Sequence, residues 1–277
     1  MSEILTELAL LYGVILTGTL LKQNPASLFF HIRNDEYNQT TDKVETITNY
    51  ILSANKTQLK KIGFQPQCVT ADFNMELQFY SEFTKPVMAT VLTSDVLQAY
   101  TEYKLTLEQI DQIRTVCPLQ TLRIHEAISY YRDYLNIPFP TDYVREICNY
   151  AQNNKLSIFW NEWDINTYPQ IAQIIEGYEN TVHVSFGTNA NYIEPIDGFN
   201  HLKGFTKRAA SIQSWYWYER QDRTPGTEMD MPPELMRQHT LEALRAGCTI
   251  IQYEPYWYFF DNITPYVVLN EIIGAPF

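Results

Sequence analysis

A single (β/α)8 barrel, in the α/β class, is the fold the sequence predicts, and three observations predict it. Eight apolar runs rich in β-branched and aromatic residues recur along the 277 residues, helix-like segments separate them, and no Gly-x-Gly-x-x-Gly follows an early run as an open nucleotide-binding sheet would require. Strand alternating with helix implies parallel strands joined by helical crossovers, and eight repeats in about 250 residues is the count of a closed ring.

The expected strands, in order, are Leu28–Arg33, Cys68–Phe73, Val87–Leu92, Gln120–Glu126, Leu156–Glu162, Val182–Gly187, Ser211–Tyr218 and Thr249–Glu254. The expected helices include Asp42–Ser53, Leu107–Val116, Thr141–Asn153, Pro169–Tyr178 and Pro233–Ala246, several opened by a capping residue or an early proline. In Thr141–Asn153, Thr141 is the expected cap, Asp142 sits at the positive end, and Val144, Ile147, Cys148 and Ala151 form one apolar stripe. That stripe should pack on the sheet. The apolar stretch Ile4 to Leu21 carries Glu7 and lacks a basic segment before it, so it reads as an extra N-terminal helix within residues 1–24 rather than a signal or a span. No Pro/Gly/Ser linker, low-complexity tract or internal repeat marks a boundary, so one domain is expected over residues 1–277.

Composition narrows the partners. Lys and Arg number 20 against 32 Asp and Glu, a net charge of −12, which is the wrong sign for gripping a phosphate backbone or an anionic bilayer. Neither nucleic acid nor membrane is expected as a partner. Cys68, Cys117, Cys148 and Cys248 are scattered without a C-x-x-C pair, and the five histidines His31, His125, His183, His201 and His239 lack the i, i+4 spacing of a helical metal site. Buried free thiols and no metal are expected, and no cofactor is called for. No lysine ends a strand in an apolar context, Gly226 alone is available to approach a phosphate after the seventh run, and no G-x-S-x-G elbow occurs. Aldolase, phosphosugar and serine hydrolase chemistry therefore lose ground.

The C-terminal ends of all barrel strands face one mouth, and carboxylates collect there. The fourth run ends in Arg123-Ile124-His125-Glu126, the fifth in Trp160-Asn161-Glu162-Trp163-Asp164, the seventh leads to Glu219 and Asp222, and the eighth ends in Gln252-Tyr253-Glu254. Hydrolysis of a glycosidic bond needs two such groups, one to protonate the leaving oxygen and one to activate water or attack carbon. Aromatic residues flank them, namely Trp160, Trp163, Trp215, Tyr216, Trp217, Tyr218, Tyr256, Trp257 and Tyr258, and an aromatic ring offers a flat apolar face to the C–H surface of a sugar. A carbohydrate is thus the expected substrate. Filling the space between sheet and helices is an equally good role for any single ring.

Alternate strand residues face the interior, which selects Gln252 and Glu254 on the eighth run and Arg123 and His125 on the fourth. Glu126 falls one step off, and only a turn at the strand end could swing it inward. Glu162 and Asp164 are open between a site role and a surface ion pair.

With these acidic strand ends the chain resembles glycoside hydrolase family 98, over the order and spacing of the ends from about Leu28 to Asn262. The resemblance implies an inverting endo-β-galactosidase acting on blood-group-type glycans, with Glu126 as acid and Glu219 or Asp222 together with Glu254 on the base side. It also implies an extracellular setting. The rivals are a non-catalytic carbohydrate-binding barrel, which would keep the aromatics and lose the acids, and an unrelated lyase or isomerase. Substrate contacts are expected from Arg123, His125, Trp160, Glu162, Trp163, Trp215, Trp217, Tyr218, Tyr256 and Trp257.

Overall fold

The computed structural model describes residues 27–33, 62–67, 72–84, 91–97, 104–117, 119–188, 196–213 and 231–254. The expected helices within residues 1–24 and over Asp42–Ser53 lie outside these residues, as do Trp215, Tyr216, Trp217, Tyr218, Glu219, Asp222, Tyr256, Trp257 and Tyr258.

The architecture is a parallel β/α sheet. Its strands are β1 (Ser27–Arg33), β2 (Ile62–Gln67), β3 (Val91–Leu97), β4 (Leu119–His125), β5 (Ser157–Glu162), β6 (Val182–Thr188), β7 (Lys207–Gln213) and β8 (Cys248–Glu254). Each pairs in parallel with the next, and β8 pairs with β1 through Leu28 opposite Ile251 and Phe29 opposite Gln252, which closes the ring. Helices fill the described crossovers: α1 (Phe73–Thr84), α2 (Leu107–Val116), α3 (Ala127–Tyr130) running into a π-helical turn Tyr131–Leu135, α4 (Thr141–Asn153), α5 (Tyr168–Ile174), α6 (Ile196–His201) and α7 (Pro233–Arg245). None of the described helices is long and apolar enough to cross a membrane.

Strand parity divides the core in two. Phe29, Phe159, Ala209 and Ile250 form one cluster inside the ring. Leu122, Ile124, Ile158, Trp160, Val184, Phe186, Ala210, Ile212, Ile251 and Tyr253, which alternate with the inward positions, form a second and larger cluster with the helices. The stripe of α4 belongs to it, for Val144, Ile147, Cys148 and Ala151 are each fully buried. Burying each aliphatic side chain of this kind stabilises the fold by roughly 1.5–3 kcal/mol before entropy is counted.

Several boundaries differ from the sequence reading, each for a local reason. The second strand is described over Ile62–Gln67, ahead of the expected Cys68–Phe73, of which residues 68–71 lie outside the described residues. Gly63 and Pro66 make this segment read as a loop, yet its pairing with β1 supplies the hydrogen bonds that propensity does not favour. Phe73 instead opens α1, because the Asp72 carboxylate accepts the Asn74 amide at 2.9 Å and satisfies an N-terminal donor of the helix. The third strand is described over Val91–Leu97 and runs past the expected Val87–Leu92, whose first four residues lie outside the described residues, with the polar Thr93-Ser94-Asp95 stretch paired against Thr121, Leu122 and Arg123 of β4. The seventh strand is described over Lys207–Gln213, so it starts four residues before the expected Ser211–Tyr218, whose remainder from residue 214 lies outside the described residues. Its inward Ala209 belongs to the same cluster as Phe29 and Phe159.

The N-cap position of α4 is Pro140, without a side-chain cap, and Thr141 is the first helical residue, so the expected threonine cap is not made. The fifth helix ends at Ile174, before a turn in which Gly177 adopts a φ of 87°.

Candidate functional site

The inward side chains near the C-terminal ends of four strands are polar. On β8 the inward residues run Ile250, Gln252, Glu254; on β7, Ala209, Ser211, Gln213; on β5, Phe159, Asn161; and on β4, Thr121, Arg123, His125. The apolar members form the inner cluster, and the polar His125, Asn161, Gln213 and Glu254 stand at or next to the C-terminal ends of their strands. All of the polar ones are buried. Buried polar groups cost free energy unless they serve each other or a ligand, so their gathering at the mouth marks the candidate site.

Glu126 joins them through its backbone. It follows β4 at φ 49° and ψ 29°, a left-handed conformation that costs a non-glycine residue roughly 1–3 kcal/mol. The turn reverses the outward parity of the position. Its carboxylate oxygen Oε1 lies 3.3 Å from His125 Nε2 and accepts a hydrogen bond from Asn161 Nδ2 at 3.4 Å, and both partners point inward. The Glu126 amide donates to the Asn161 carbonyl at 2.7 Å, so strand β5 holds the turn. The Ser185 hydroxyl in turn donates to Asn161 Oδ1 at 3.2 Å, tying β6 into the same network. Glu254, the last residue of β8, is also buried. Strands β4 and β8 lie four places apart in either direction around the ring, so Glu126 and Glu254 belong to opposite sides of one mouth.

Glu162 is placed differently from expectation. It is fully buried on the side of β5 that faces α3. Its Oε1 accepts the Ile128 amide at 2.8 Å and the Trp160 indole N–H at 3.3 Å, and its Oε2 accepts the Ser129 hydroxyl at 2.8 Å. Burial pushes its pKa up to about 7; the hydrogen bonds from Ile128, Ser129 and Trp160 oppose that rise, and the charge of Glu126 adds to it. A direct contact with substrate is therefore replaced by a contact with the helix that Glu126 begins. Trp160 is corrected likewise. Its indole is fully buried and stacks on Phe139 with ring centroids 5.9 Å apart, so it packs the core rather than a sugar.

Trp163 stays available, 43% exposed just beyond β5. Asp164 is bound up locally. Burial opposes its ionisation, but bonds from the Asn166 amide and from Arg132, 2.9 Å away, hold it below the usual carboxylate range. Tyr134, 69% exposed and stacked on Tyr130 at 5.0 Å, is an aromatic surface that sequence reading passed over. Asn161 and Ser185 were also missed. Their signal was parity in register: His125 lies opposite Asn161, and Asn161 opposite Ser185. Among the described residues no group of His, Cys, Asp and Glu is arranged to hold a metal ion.

Neither a family model nor a curated protein matches the sequence. Solved structures do match the fold. The catalytic module of a family 98 glycoside hydrolase from Streptococcus pneumoniae, in complex with the LewisY pentasaccharide blood group antigen, superposes with a TM-score of 0.65 at 12% identity, covering 91% of this chain and 52% of that one. The same module with the H-disaccharide blood group antigen gives the same TM-score of 0.65 at 12% identity and the same coverage, 91% and 52%. A dihydropteroate synthase from Xanthomonas albilineans with 4-aminobenzoic acid gives 0.51 at 10% identity, covering 88% of this chain and 93% of that one. The chain spans about half the length of the family 98 module it resembles, and at these identities the likeness is one of fold.

Proposed function

We propose that the chain is a glycoside hydrolase built on one (β/α)8 domain with an additional N-terminal helix, and that it cleaves an O-glycosidic bond of an oligosaccharide with inversion. The observation that carries this reading is the left-handed turn at Glu126, which aims its carboxyl at His125 and Asn161 within the mouth. A strained backbone that delivers a carboxyl to a buried polar ring is more than binding alone requires. Glu126 protonates the leaving oxygen. His125 and Asn161 both address Oε1, which leaves Oε2 for the transferable proton.

Glu254 takes the proton of the attacking water, and Glu219 or Asp222 holds that water. Arg123, buried on the inward face of β4, brings a positive charge to the mouth. Trp163, with Trp215, Trp217, Tyr218, Tyr256 and Trp257, offers aromatic faces to the sugar. The blood-group glycans bound by the S. pneumoniae module make galactose-containing oligosaccharides of the LewisY and H types the first substrates to try.

The test is product analysis on a glycan panel containing those structures, with the anomer of the product read by NMR. Inverted product is expected, and Glu126→Gln and Glu254→Gln should each lose about 10²–10⁴-fold in rate while remaining folded. Near-normal turnover in either variant removes the assignment. A retained anomer instead indicates a carboxyl separation near 5 Å, with Glu254 as nucleophile. Binding across the panel without hydrolysis favours a carbohydrate-binding barrel.

A further inference from the structure

We infer that Glu162 is a positioning residue that caps α3 from the neighbouring strand, holding the Glu126 turn while leaving the Glu126 carboxyl free to face the mouth; the catalytic consequence rests on the reading of Glu126 as acid. At a helix N-terminus the capping residue ordinarily turns its own side-chain oxygen back onto the second or third amide. Glu126 occupies the capping position of α3 and makes no such bond. The oxygen comes instead from Glu162, which accepts the amide of Ile128, the second helical residue, at 2.8 Å. The hydroxyl of Ser129, the third, donates to the other oxygen at 2.8 Å.

Division of labour follows. Were Glu126 to cap its own helix, its carboxyl would turn away from His125 and Asn161. Because Glu162 performs that task, Glu126 keeps its contacts at 3.3 and 3.4 Å inside the ring. Adjacent residues at the C-terminal end of β5 then clamp one turn, one by backbone and one by side chain, through the Asn161 carbonyl on the Glu126 amide at 2.7 Å and the Glu162 carboxylate on the Ile128 amide.

The arrangement tolerates a proton. Oε1 takes both N–H donors, from Ile128 and Trp160, while among the described residues Oε2 is bonded by the Ser129 hydroxyl alone, which can reverse from donor to acceptor. A proton on Oε2 leaves the cap intact. Glutamine fits the same pattern, with its carbonyl at Oε1 and its amide nitrogen donating to Ser129.

The experiment compares Glu162→Ala, Glu162→Gln and Ser129→Ala by amide hydrogen exchange at Ile128 and by steady-state kinetics on whichever panel glycan the wild type cleaves. Glu162→Ala is expected to speed exchange at Ile128 at least tenfold and to lower kcat at least tenfold with KM within about twofold, while Glu162→Gln restores both. Ser129→Ala, which keeps the Ile128 bond, should change each by a few-fold only, and it decides the matter together with Glu162→Gln if the alanine variant does not fold. Unchanged Ile128 exchange in Glu162→Ala overturns the cap whatever the activity, as does, where that variant does not fold, Ile128 exchange raised at least tenfold in Glu162→Gln or Ser129→Ala, both of which keep an oxygen on the Ile128 amide. Faster exchange with unaltered kcat, in an enzyme that Glu126→Gln inactivates, overturns the positioning role and leaves the acid assignment standing. Faster exchange in an enzyme that Glu126→Gln does not impair removes the acid assignment and keeps the cap.

Discussion

Two carboxylates one strand apart, Glu126 and Glu162, show how environment divides roles between identical side chains. Glu126 reaches the polar interior by a backbone turn, whereas Glu162 is enclosed against a helix start and shifted to about 7, first by burial and in part by the charge of Glu126. That shift has a consequence for stability. The folded-state pKa of Glu162 lies above its ordinary value of 4.5, so the folded protein binds the proton more tightly than the unfolded chain. The contribution is fully present below about pH 4.5 and is lost as pH rises through about 7. Urea unfolding of the wild type and of Glu162→Gln across this window should show the difference in stability moving against the wild type as pH rises. A difference that stays constant from pH 4.5 to 7.5 is incompatible with the buried, shifted carboxyl.

At the scale of elements, the helices are specified by their ends and their apolar faces together. α2 begins with a reciprocal capping box: the Gln109 amide donates to Thr106 Oγ1 at 3.2 Å, and the Thr106 amide donates to Gln109 Oε1 at 2.9 Å. Near its other end, Arg114 donates to the Tyr150 hydroxyl at 2.9 Å and to Asn154 Oδ1 at 2.8 Å, which joins α2 to α4. Thr106→Ala removes the cap without touching that junction and should cost about 0.5–2 kcal/mol in chemical denaturation. A loss below about 0.2 kcal/mol would mean that packing of Ile110 and Ile113 alone fixes the helix start. α4 makes the complementary point, because it forms with a proline at the N-cap position and no side-chain cap, held by its fully buried stripe.

For the whole molecule, two concentric layers of core protect the thiols. Cys117, Cys148 and Cys248 are buried and free, and burial pushes the first two up to about 12 and the third up as well. A thiol in such surroundings is neither nucleophile nor exposed to reagent. Native protein treated with a thiol-specific label at pH 8 should leave all three unmodified, with labelling appearing only across the unfolding transition. Labelling of any of them in the folded state at the rate of a free thiol contradicts the packing around it.

Periodicity and residue class were enough to read the parallel β/α order, the extents of α2 and α4, and the inward parity of Arg123, His125, Gln252 and Glu254, because these depend on which side chains avoid water along one element. Where a strand holds glycine, proline or small residues, as in β2 and β7, its bounds were fixed by pairing with neighbours that are distant in sequence. The site divides in the same way. That Glu126, Glu162 and Glu254 stand at the ends of β4, β5 and β8 was legible in the sequence, but a left-handed Glu126, a Trp160 turned into the core and a Glu162 turned onto α3 were not. Those three outcomes follow from hydrogen bonds and contacts made across β4, β5 and α3. A local pattern cannot encode them, since the energy that selects each conformation arises only when the elements meet.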